Sequence, residues 1–306
     1  MKKKLAASLI ALTMMSTSAL AQNIIVVSHG QANDPFWSVV KNGVDLAAAH
    51  TGATVSYRAP ETFDMVAMAQ LIDAAVNQEP DGLVVSIPDA DALGTAIRRA
   101  VEAGIPVISM NSGADVAAEL GVLLHVGQSE YDAGRIAGAR LAAMGGTTGL
   151  CVNQEVGNVS LDQRCAGFAE GFGDVTVLPT SNDPADVRAR VRAAIDANPD
   201  IDTVLALGAA TAGEPAVAAV QEAGRGDEIA VATFDMSAGF LEAVDAGRAA
   251  FAIDQQQFLQ GYLPVTFLAL HASYGLMPGG DVPSGPNLVD QGSAALVVEL
   301  SARGIR

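Results

Sequence analysis

The stretch Asn23-Ile24-Ile25-Val26-Val27-Ser28-His29-Gly30-Gln31-Ala32-Asn33-Asp34-Pro35-Phe36-Trp37 decides the fold of this chain. Its apolar run predicts a buried strand, its polar middle a turn, and its end the start of a helix over about 35–50. Asp34 can cap that helix, and the following proline suits a first helical turn. Two rings, Phe36 and Trp37, then lie beside Asn33 and Asp34 at the carboxyl end of a strand. Rings that stack on C–H faces, next to groups that bond hydroxyls, suit a small polyhydroxylated ligand.

The first 21 residues have the pattern of a cleavable secretory leader. Three lysines follow Met1, an apolar segment runs from Leu5 to Met15, and Ala19-Leu20-Ala21 has the small residues of a cleavage site. The apolar segment is too short to span a bilayer, and no cysteine follows the cleavage site to carry a lipid. The sequence therefore predicts a signal peptide, residues 1–21, and an exported protein that begins near Gln22.

Size and charge narrow the class of protein further. The formal net charge is −17, and it becomes −20 when the three leader lysines are removed, which leaves Lys41 as the only lysine. Such a charge repels phosphate backbones, so the sequence predicts no nucleic-acid partner. The remaining 285 residues exceed what one compact core usually holds, so we expect two domains.

Short strands rich in Val, Ile and Leu alternate with helical patterns along most of the chain. The predicted strands are 24–28, 53–57, 82–86, 105–109, 122–126, 148–152, 174–178, 202–207, 229–234 and 249–254. The predicted helices are 35–50, 64–78, 90–103, 130–144, 161–172, 185–197, 212–223 and 237–246. This alternation is typical of parallel sheets with helices on both faces.

A short internal sequence repeat indicates that the chain has two similar halves. The segment 74–81, which ends in Glu79-Pro80-Asp81, precedes a strand in the same way as 193–200, which ends in Asn198-Pro199-Asp200. The two segments lie about one α/β domain apart in the sequence. Two doubly wound sheets would place a cleft between the carboxyl ends of their strands, where ligands bind in open α/β sheets.

The order and spacing of several motifs resemble a type I periplasmic binding protein of the ribose-binding branch, which serves ABC sugar importers. The resemblance covers essentially the whole mature chain. Its landmarks are Asn33-Asp34-Pro35-Phe36-Trp37, 80–85, 103–108, 127–134, 163–168 and Ala232-Thr233-Phe234-Asp235.

The resemblance implies an α/β fold of two doubly wound parallel-sheet lobes joined by a three-crossover hinge. The crossovers are expected near 127–129, 253–256 and 281–286. The N-terminal lobe would comprise 22–127 plus 256–283, and the C-terminal lobe 128–255 plus 284–306.

The resemblance also implies a ligand site at strand ends that face the cleft. The positions carried over on matching motifs are Asn33, Asp34, Phe36, Trp37, Ser86, Asn111, Asp162, Asp235 and Gln255. The two rings would form an aromatic wall, and the other side chains would bond ligand hydroxyls. Structural alternatives stay open: Asp34 and Asp235 could cap helices, one ring could belong to the core, and Asn111 could form an Asx turn.

This chain departs from the ribose-binding pattern at four places. Ser86 and Gly208 stand where relatives often have Asn, and Asn111-Ser112 replaces an Asp followed by an Arg. Asp162 stands where ribose-type proteins present an Arg, while Arg164 could be the structural arginine of the motif. The missing charged clamp argues against simply carrying ribose over as the ligand and is compatible with a linear polyol, a deoxy sugar or a cyclic polyol.

Few residues of the chain indicate redox, metal-binding or catalytic chemistry. Cys151 and Cys165 could form a disulfide in an oxidising compartment or remain two buried thiols. The four histidines lack metal-ligand spacing, and His29 is interpreted as a turn residue that could reach the cleft. The chain has no dinucleotide fingerprint, phosphate-binding loop or nucleophile elbow, so we expect no cofactor, metal or enzymatic activity.

The sequence therefore predicts a monomeric periplasmic solute-binding protein that delivers a small neutral monosaccharide or polyol, pentose-sized by preference, to an ABC permease and its ATPase. One alternative is a receptor that passes a sugar or furanose-like signal to chemotaxis or a sensor kinase. Two others are the effector domain of a sugar-responsive repressor, which the leader and the charge disfavour, and a hydrolase that uses cleft carboxylates.

Overall fold

The computed structural model describes residues 21–30 and 34–306. Almost the whole predicted leader, together with the predicted site residue Asn33, lies outside these ranges. Within them, no helix combines the length and the apolar character that crossing a bilayer requires.

Strands and helices alternate as the sequence pattern predicts. The strands are β1 (Asn23–Val27), β2 (Thr54–Arg58), β3 (Gly82–Val85), β4 (Val107–Asn111), β5 (His125–Gly127), β6 (Thr148–Asn153), β7 (Asp174–Pro179), β8 (Thr203–Ala206), β9 (Ala230–Phe234), β10 (Phe251–Asp254), β11 (Val282–Pro283) and β12 (Asn287–Asp290). The helices are α1 (Pro35–Thr51), α2 (Met65–Val76), α3 (Ala90–Glu102), α4 (Glu130–Ala143), α5 (Val159–Phe172), α6 (Pro184–Ala197), α7 (Glu214–Glu222), α8 (Ala238–Asp245), α9 (Gln257–Tyr274) and α10 (Gln291–Ala302).

The strands form two six-stranded sheets of the same order. The first sheet runs β11-β5-β4-β3-β1-β2 and is parallel throughout. The second runs β12-β10-β9-β8-β6-β7 and is parallel except for its edge strand β12, which pairs antiparallel with β10. The predicted fold class, two doubly wound parallel-sheet lobes, is confirmed.

Each sheet is covered by apolar residues on both faces. In β1, Ile25 and Val27 pack with α2 and α3, whereas Ile24 and Val26 pack with α1 and α9. This follows from the two-residue period of a strand, which sends successive side chains to opposite faces. The result explains why the strand is a continuous apolar run instead of an alternating one.

The predicted elements omit four that the structure contains: α9, α10, β11 and β12. The strands β11 and β12 are only two and four residues long, which is too short for a periodic signal. The helix α9 contains Pro264, which interrupts the sequence pattern. In addition, α7 begins with a π-helical turn, Ala209–Gly213, at the carboxyl end of β8.

Glycines bring two pairs of helices into close backbone contact. In the first lobe, a Cβ on Gly43 of α1 would collide with the carbonyl oxygen of Phe258 in α9. In the second lobe, a Cβ on Gly134 of α4 would collide with the carbonyl oxygen of Arg164 in α5. Larger side chains would force each pair of helices apart, so the glycines set how closely α5 lies against α4.

Three connections join the sheets, at 127–130, 254–257 and 283–287, near the predicted crossovers. Within them the Gln256 amide donates to the carbonyl of Ser284 at 2.7 Å, and the backbone N–H of Gln256 donates to the buried Asp254 carboxylate at 2.7 Å. The predicted lobe limits, 22–127 with 256–283 and 128–255 with 284–306, stay a prediction, and we use them below to name the two lobes.

A disulfide joins Cys151 of β6 to Cys165 of α5, with a Cα–Cα distance of 5.8 Å. The spacing of these cysteines left open whether they would pair. Both residues are buried in the cluster between β6 and α5, so the bond ties the helix to the strand it covers.

Candidate functional site

A cavity lies where the carboxyl ends of the two sheets face each other. It holds about 520 Å³ of space between atoms, part of which is open solvent. Its polar and aromatic wall is formed by His29, Asp34, Phe36, Trp37, Asn111, Gln154, Glu155, Asn158, Arg164, Thr211, Asp235 and Gln255. Five of these come after β1 or at the end of β4 in the first lobe, six belong to the second lobe, and Gln255 lies in the connection after β10.

The turn after β1 places Asp34 at the cavity and at the helix start together. Its Oδ1 accepts a hydrogen bond from the backbone N–H of Phe36 at 2.9 Å, so the predicted N-cap is present. Because burial removes water, and because the Glu155 carboxyl lies on the opposite wall, the pKa of Asp34 rises from its ordinary 3.8 to about 7. Capping and lining the cavity are therefore combined in one side chain.

The two aromatic rings after the turn have different surroundings. Trp37 is only 5% exposed and packs in the core beneath β1, whereas Phe36 is partly exposed, and the two rings meet edge-on at 5.2 Å between centroids. Both rings line the cavity. A Cβ on Gly30 would collide with the Trp37 indole, so a glycine at that position leaves room for the ring.

The structure places His29 on the cavity wall, where the sequence predicts Ser86. Ser86 does not line the cavity: it is fully buried, and its Oγ accepts from the His29 backbone N–H at 2.9 Å and bonds His29 Nδ1 at 2.8 Å. The imidazole held in this way lines the cavity and meets the Trp37 ring edge-on at 4.7 Å. Burial lowers the pKa of His29 to about 4, against the pull of Glu155, so the ring is neutral at neutral pH.

A chain of amide contacts links the lobes at the base of the cavity. The Asn111 amide donates to Gln255 Oε1 at 3.4 Å, and the Gln255 amide donates to Asp235 Oδ1 at 2.5 Å. Asn111 and Asp235 both have left-handed backbones, with φ of 65° and 66°. Such conformations are uncommon outside glycine and cluster at functional sites.

Asp235 does not cap the helix that follows it. Ser237 caps α8, its Oγ accepting from the Phe240 backbone N–H at 3.3 Å, so the Asp235 carboxylate is left for the cavity. Burial raises the pKa of Asp235 to about 6, although Arg164 and the Gln255 amide pull it down.

Arg164 lines the cavity with its charge already neutralised. Its Nε and one terminal nitrogen donate to Glu130 at 2.6 and 3.0 Å, its other terminal nitrogen donates to the carbonyl of Leu207 at 3.1 Å, and its guanidinium lies 4.4 Å from the centre of the Phe234 ring. Both charged partners are buried. The pair fixes α5 against α4 and β9, as a structural arginine would.

Asp162 lies outside the cavity. It is exposed on α5, and its carboxylate accepts from the Asn153 amide at 2.9 Å. Residues two apart on a helix point in different directions, so Arg164 and Asp162 cannot share one wall. The placement of Asp162 by motif alignment did not take this helix phase into account.

Sequence reasoning missed four polar side chains on the second-lobe wall: Gln154, Glu155, Asn158 and Thr211. The Asn158 amide donates to Glu155 Oε2 at 2.9 Å, which lies 3.9 Å from His29 Nε2 on the other lobe. The signal for Gln154 and Glu155 was the polar run Asn153-Gln154-Glu155 at the end of the buried strand β6, the same arrangement that drew attention to the end of β1.

The lobes also touch at the rim of the cavity. The Val159 backbone N–H, in the first turn of α5, donates to the carbonyl of Pro88 at 3.0 Å. The Gln163 amide donates to the Asp115 carboxylate at 3.0 Å. Direct bonds between the rims show that the lobes lie in a closed arrangement.

Among residues 21–30 and 34–306, no group of three or more His, Cys, Asp or Glu side chains is arranged to hold a metal ion. The cavity wall offers carboxylates and amides, which can accept or donate hydrogen bonds, and aromatic rings, which can stack on a ligand.

The chain matches the family model described as a periplasmic binding protein domain over residues 24–275. It is 25% identical to the xylose/arabinose-binding protein XylF of Sulfolobus acidocaldarius over 265 residues, which span 81% of this chain and 65% of that protein. It is 26% identical to the ribose import binding protein RbsB of Escherichia coli over 264 residues, 83% of this chain and 87% of RbsB.

Solved structures agree with this match. A carbohydrate transporter from Acidothermus cellulolyticus, solved in complex with myo-inositol, is 38% identical, with a TM-score of 0.89 over 94% of this chain and 100% of the other. A periplasmic sugar-binding protein from Legionella pneumophila, at 23% identity and a TM-score of 0.80 over 86% and 99% of the two chains, shares the fold.

Proposed function

This chain belongs to the periplasmic binding protein family, and on that premise we propose that it binds a small, uncharged, hydroxyl-rich molecule in the cavity between its lobes. The lobes close on the ligand and release it unaltered to the permease of an ABC transporter. The predicted leader supports export to the periplasm, and the protein would act there as a monomer.

One observation carries the proposal: a single cavity combines aromatic rings from one lobe with carboxylates and amides from both. The ring of a sugar or cyclitol has apolar C–H faces and a polar rim, so it can stack on Phe36 and Trp37 while its hydroxyls bond Asp34, Asn111 and Asp235. Because Asn111 and Asp235 are connected through Gln255, a ligand that bonds both would bridge the lobes and favour closure.

The charge of the wall limits the class of ligand. Asp34, Glu155 and Asp235 are acidic, and the one arginine among the described wall residues, Arg164, is paired with Glu130. A phosphate or sugar acid would find no unpaired cation among these residues, so an anionic ligand is disfavoured. Neutral sugars and polyols can instead donate hydroxyl protons to the carboxylates.

We place myo-inositol first among candidate ligands and pentoses second. The 38% identical carbohydrate transporter was solved with myo-inositol, whereas the relatives named for ribose or for xylose and arabinose are 25–26% identical. The lack of the ribose-type arginine clamp in this chain agrees with this order.

A thermal-shift screen tests the proposal. The panel contains myo-inositol, D-ribose, D-xylose, D-arabinose, D-allose and, as an anionic control, inositol monophosphate. A specific ligand at 100 times its Kd stabilises the fold by about 2.7 kcal/mol, which several degrees of melting temperature report. Trp37, the only tryptophan, provides a second readout because its fluorescence reports the cavity directly.

Calorimetry on a matched pair of variants locates the site. We expect Asp235→Ala to weaken binding of the best panel member by at least ~1 kcal/mol, because a buried acceptor of ligand protons is lost. Asp227→Ala, an exposed aspartate, is the control. Unchanged affinity in Asp235→Ala, or no panel member that binds, would overturn the proposal, and conversion of the ligand during incubation would replace it with a hydrolase.

A further inference from the structure

Gln154 presents an unused amide to the cavity. It is the first residue after β6, it is 8% exposed, and it lines the cavity wall. Its Oε1 is buried and has no hydrogen-bond partner among the described residues. A buried amide oxygen without a partner is costly unless something else bonds it, so this side chain is arranged for a partner that occupies the cavity.

Gly208 faces this amide from the end of β8. Its backbone is extended, with φ −161° and ψ 133°, a conformation that any residue adopts, so the backbone does not require glycine. A Cβ at this position would lie 2.7 Å from Gln154 Nε2 and 3.0 Å from Thr211 Oγ1. The glycine is therefore explained by the space it leaves for the Gln154 amide.

We propose that Gln154 is a ligand-binding residue of the second lobe, and that Gly208 is small so that the Gln154 amide can reach the ligand. The inference rests on the proposed function of the cavity and adds a specificity-determining pair to it. The polar group at this part of the wall thus comes from the loop after β6 instead of from a side chain at position 208.

The hydrogen-bonding groups of an amide indicate which ligands the Gln154–Gly208 pair favours. An amide both donates and accepts, and a hydroxyl group is the ligand function that satisfies both at once. A ring that is hydroxylated at the edge facing β6 fits, while a ring with a bare methylene there leaves the amide unpaired. Gln154 therefore favours fully hydroxylated rings over their deoxy analogues.

The first test removes the amide. Calorimetry with myo-inositol and D-ribose compares the wild type with Gln154→Ala and with Gln154→Met, which keeps the length and loses the hydrogen bonds. We expect about tenfold weaker binding of the better probe in both variants. Gln78→Ala, an exposed glutamine on the first lobe, is the matched control and should bind as the wild type does.

The second test examines the pairing. Gly208→Ala should weaken binding several-fold in the wild type, because the new methyl group pushes the Gln154 amide aside. It should have little further effect in a Gln154→Ala background, since the 2.7 Å contact is gone and the Thr211 hydroxyl, 3.0 Å from the new methyl group, can rotate away. Gly280→Ala, which adds a methyl group in open space, is the control. The melting temperature of each variant without ligand verifies that it folds, and Gln154→Met replaces Gln154→Ala if the latter does not.

The outcomes separate this inference from the proposed function. If the wild type binds neither probe nor any other panel member, both fail. If the wild type binds and the Gln154 variants bind equally well, only the inference fails. Equal losses from Gly208→Ala in both backgrounds would overturn the pairing, whereas a loss confined to the wild-type background would establish it.

Discussion

The sharpest prediction concerns the carboxyl group of Asp34, which has two roles that oppose each other energetically. As a helix cap it bonds the Phe36 N–H, and as part of the cavity wall it is withdrawn from water near Glu155. The variant Asp34→Asn separates the two roles. Asn caps helices about as well as Asp, so the substitution removes the charge and keeps the cap.

The size of the expected change in unfolding free energy follows from the pKa of Asp34. The folded protein raises the pKa of Asp34 from 3.8 to about 7. Between these values the folded state binds the proton more tightly than the unfolded state, so wild-type stability falls as the pH rises from about 4 to about 7. Three pH units correspond to about 4 kcal/mol, and the partial exposure of the side chain reduces this to about 2–4 kcal/mol.

The assay is urea unfolding of the ligand-free protein from pH 4 to pH 8. The stability of Asp34→Asn minus that of the wild type should be near zero at pH 4, rise through pH 5–7 and level off above pH 7.5. Because groups far from Asp34 titrate equally in both proteins, the difference reports Asp34 together with the carboxyls that interact with it, Glu155 and Asp235. Asp64→Asn, which changes the exposed cap of α2, is the control and should show no such rise. A flat difference for Asp34→Asn would refute the argument.

Three further predictions concern the second lobe. Glu130→Gln should destabilise the protein by about 3–5 kcal/mol in urea unfolding, because it leaves Arg164 charged, buried and unpaired; a loss below 1 kcal/mol would contradict this. Replacing Cys151 and Cys165 together by alanine should cost about 3 kcal/mol through the lost loop constraint, and a melting temperature equal to that of the wild type would count against it. Gln163→Ala removes a hydrogen bond between the lobe rims. In stopped-flow fluorescence the ligand should then dissociate faster, while its association rate stays the same. Equal dissociation rates in the variant and the wild type would show that the bond does not hold the closed form.

The sequence predicts the fold well because local patterns determine it. Buried parallel strands appear as apolar runs such as 24–27, and turns such as Glu79-Pro80-Asp81 mark where helices end. The elements that it does not predict are those without such a pattern. Two-residue β11 has no period, and α9 contains a proline that a local rule places outside helices.

The site is predicted less completely, for a geometric reason. Residues at the ends of β1, β4 and β9 are found because the end of a strand is visible in the sequence. Whether a side chain near such an end enters the cavity depends on the neighbouring strand or the phase of a helix. Ser86 points instead at His29, and Asp162 turns away on α5. Gln154 has its place on the wall because position 208, 54 residues later, lacks a side chain, a relation that no local pattern contains.

The glycine contacts that bind α1 to α9 and α4 to α5 have a practical consequence. Helices in backbone contact cannot slide without breaking that contact, so we expect each predicted lobe to move as one stiff block, with flexing confined to the three short crossings. A pair of dyes attached to opposite blocks, far from the crossings, would then measure one distance and nothing else. If the proposed ligand closes the lobes, energy transfer between the two dyes would change on binding and would report the ligand concentration.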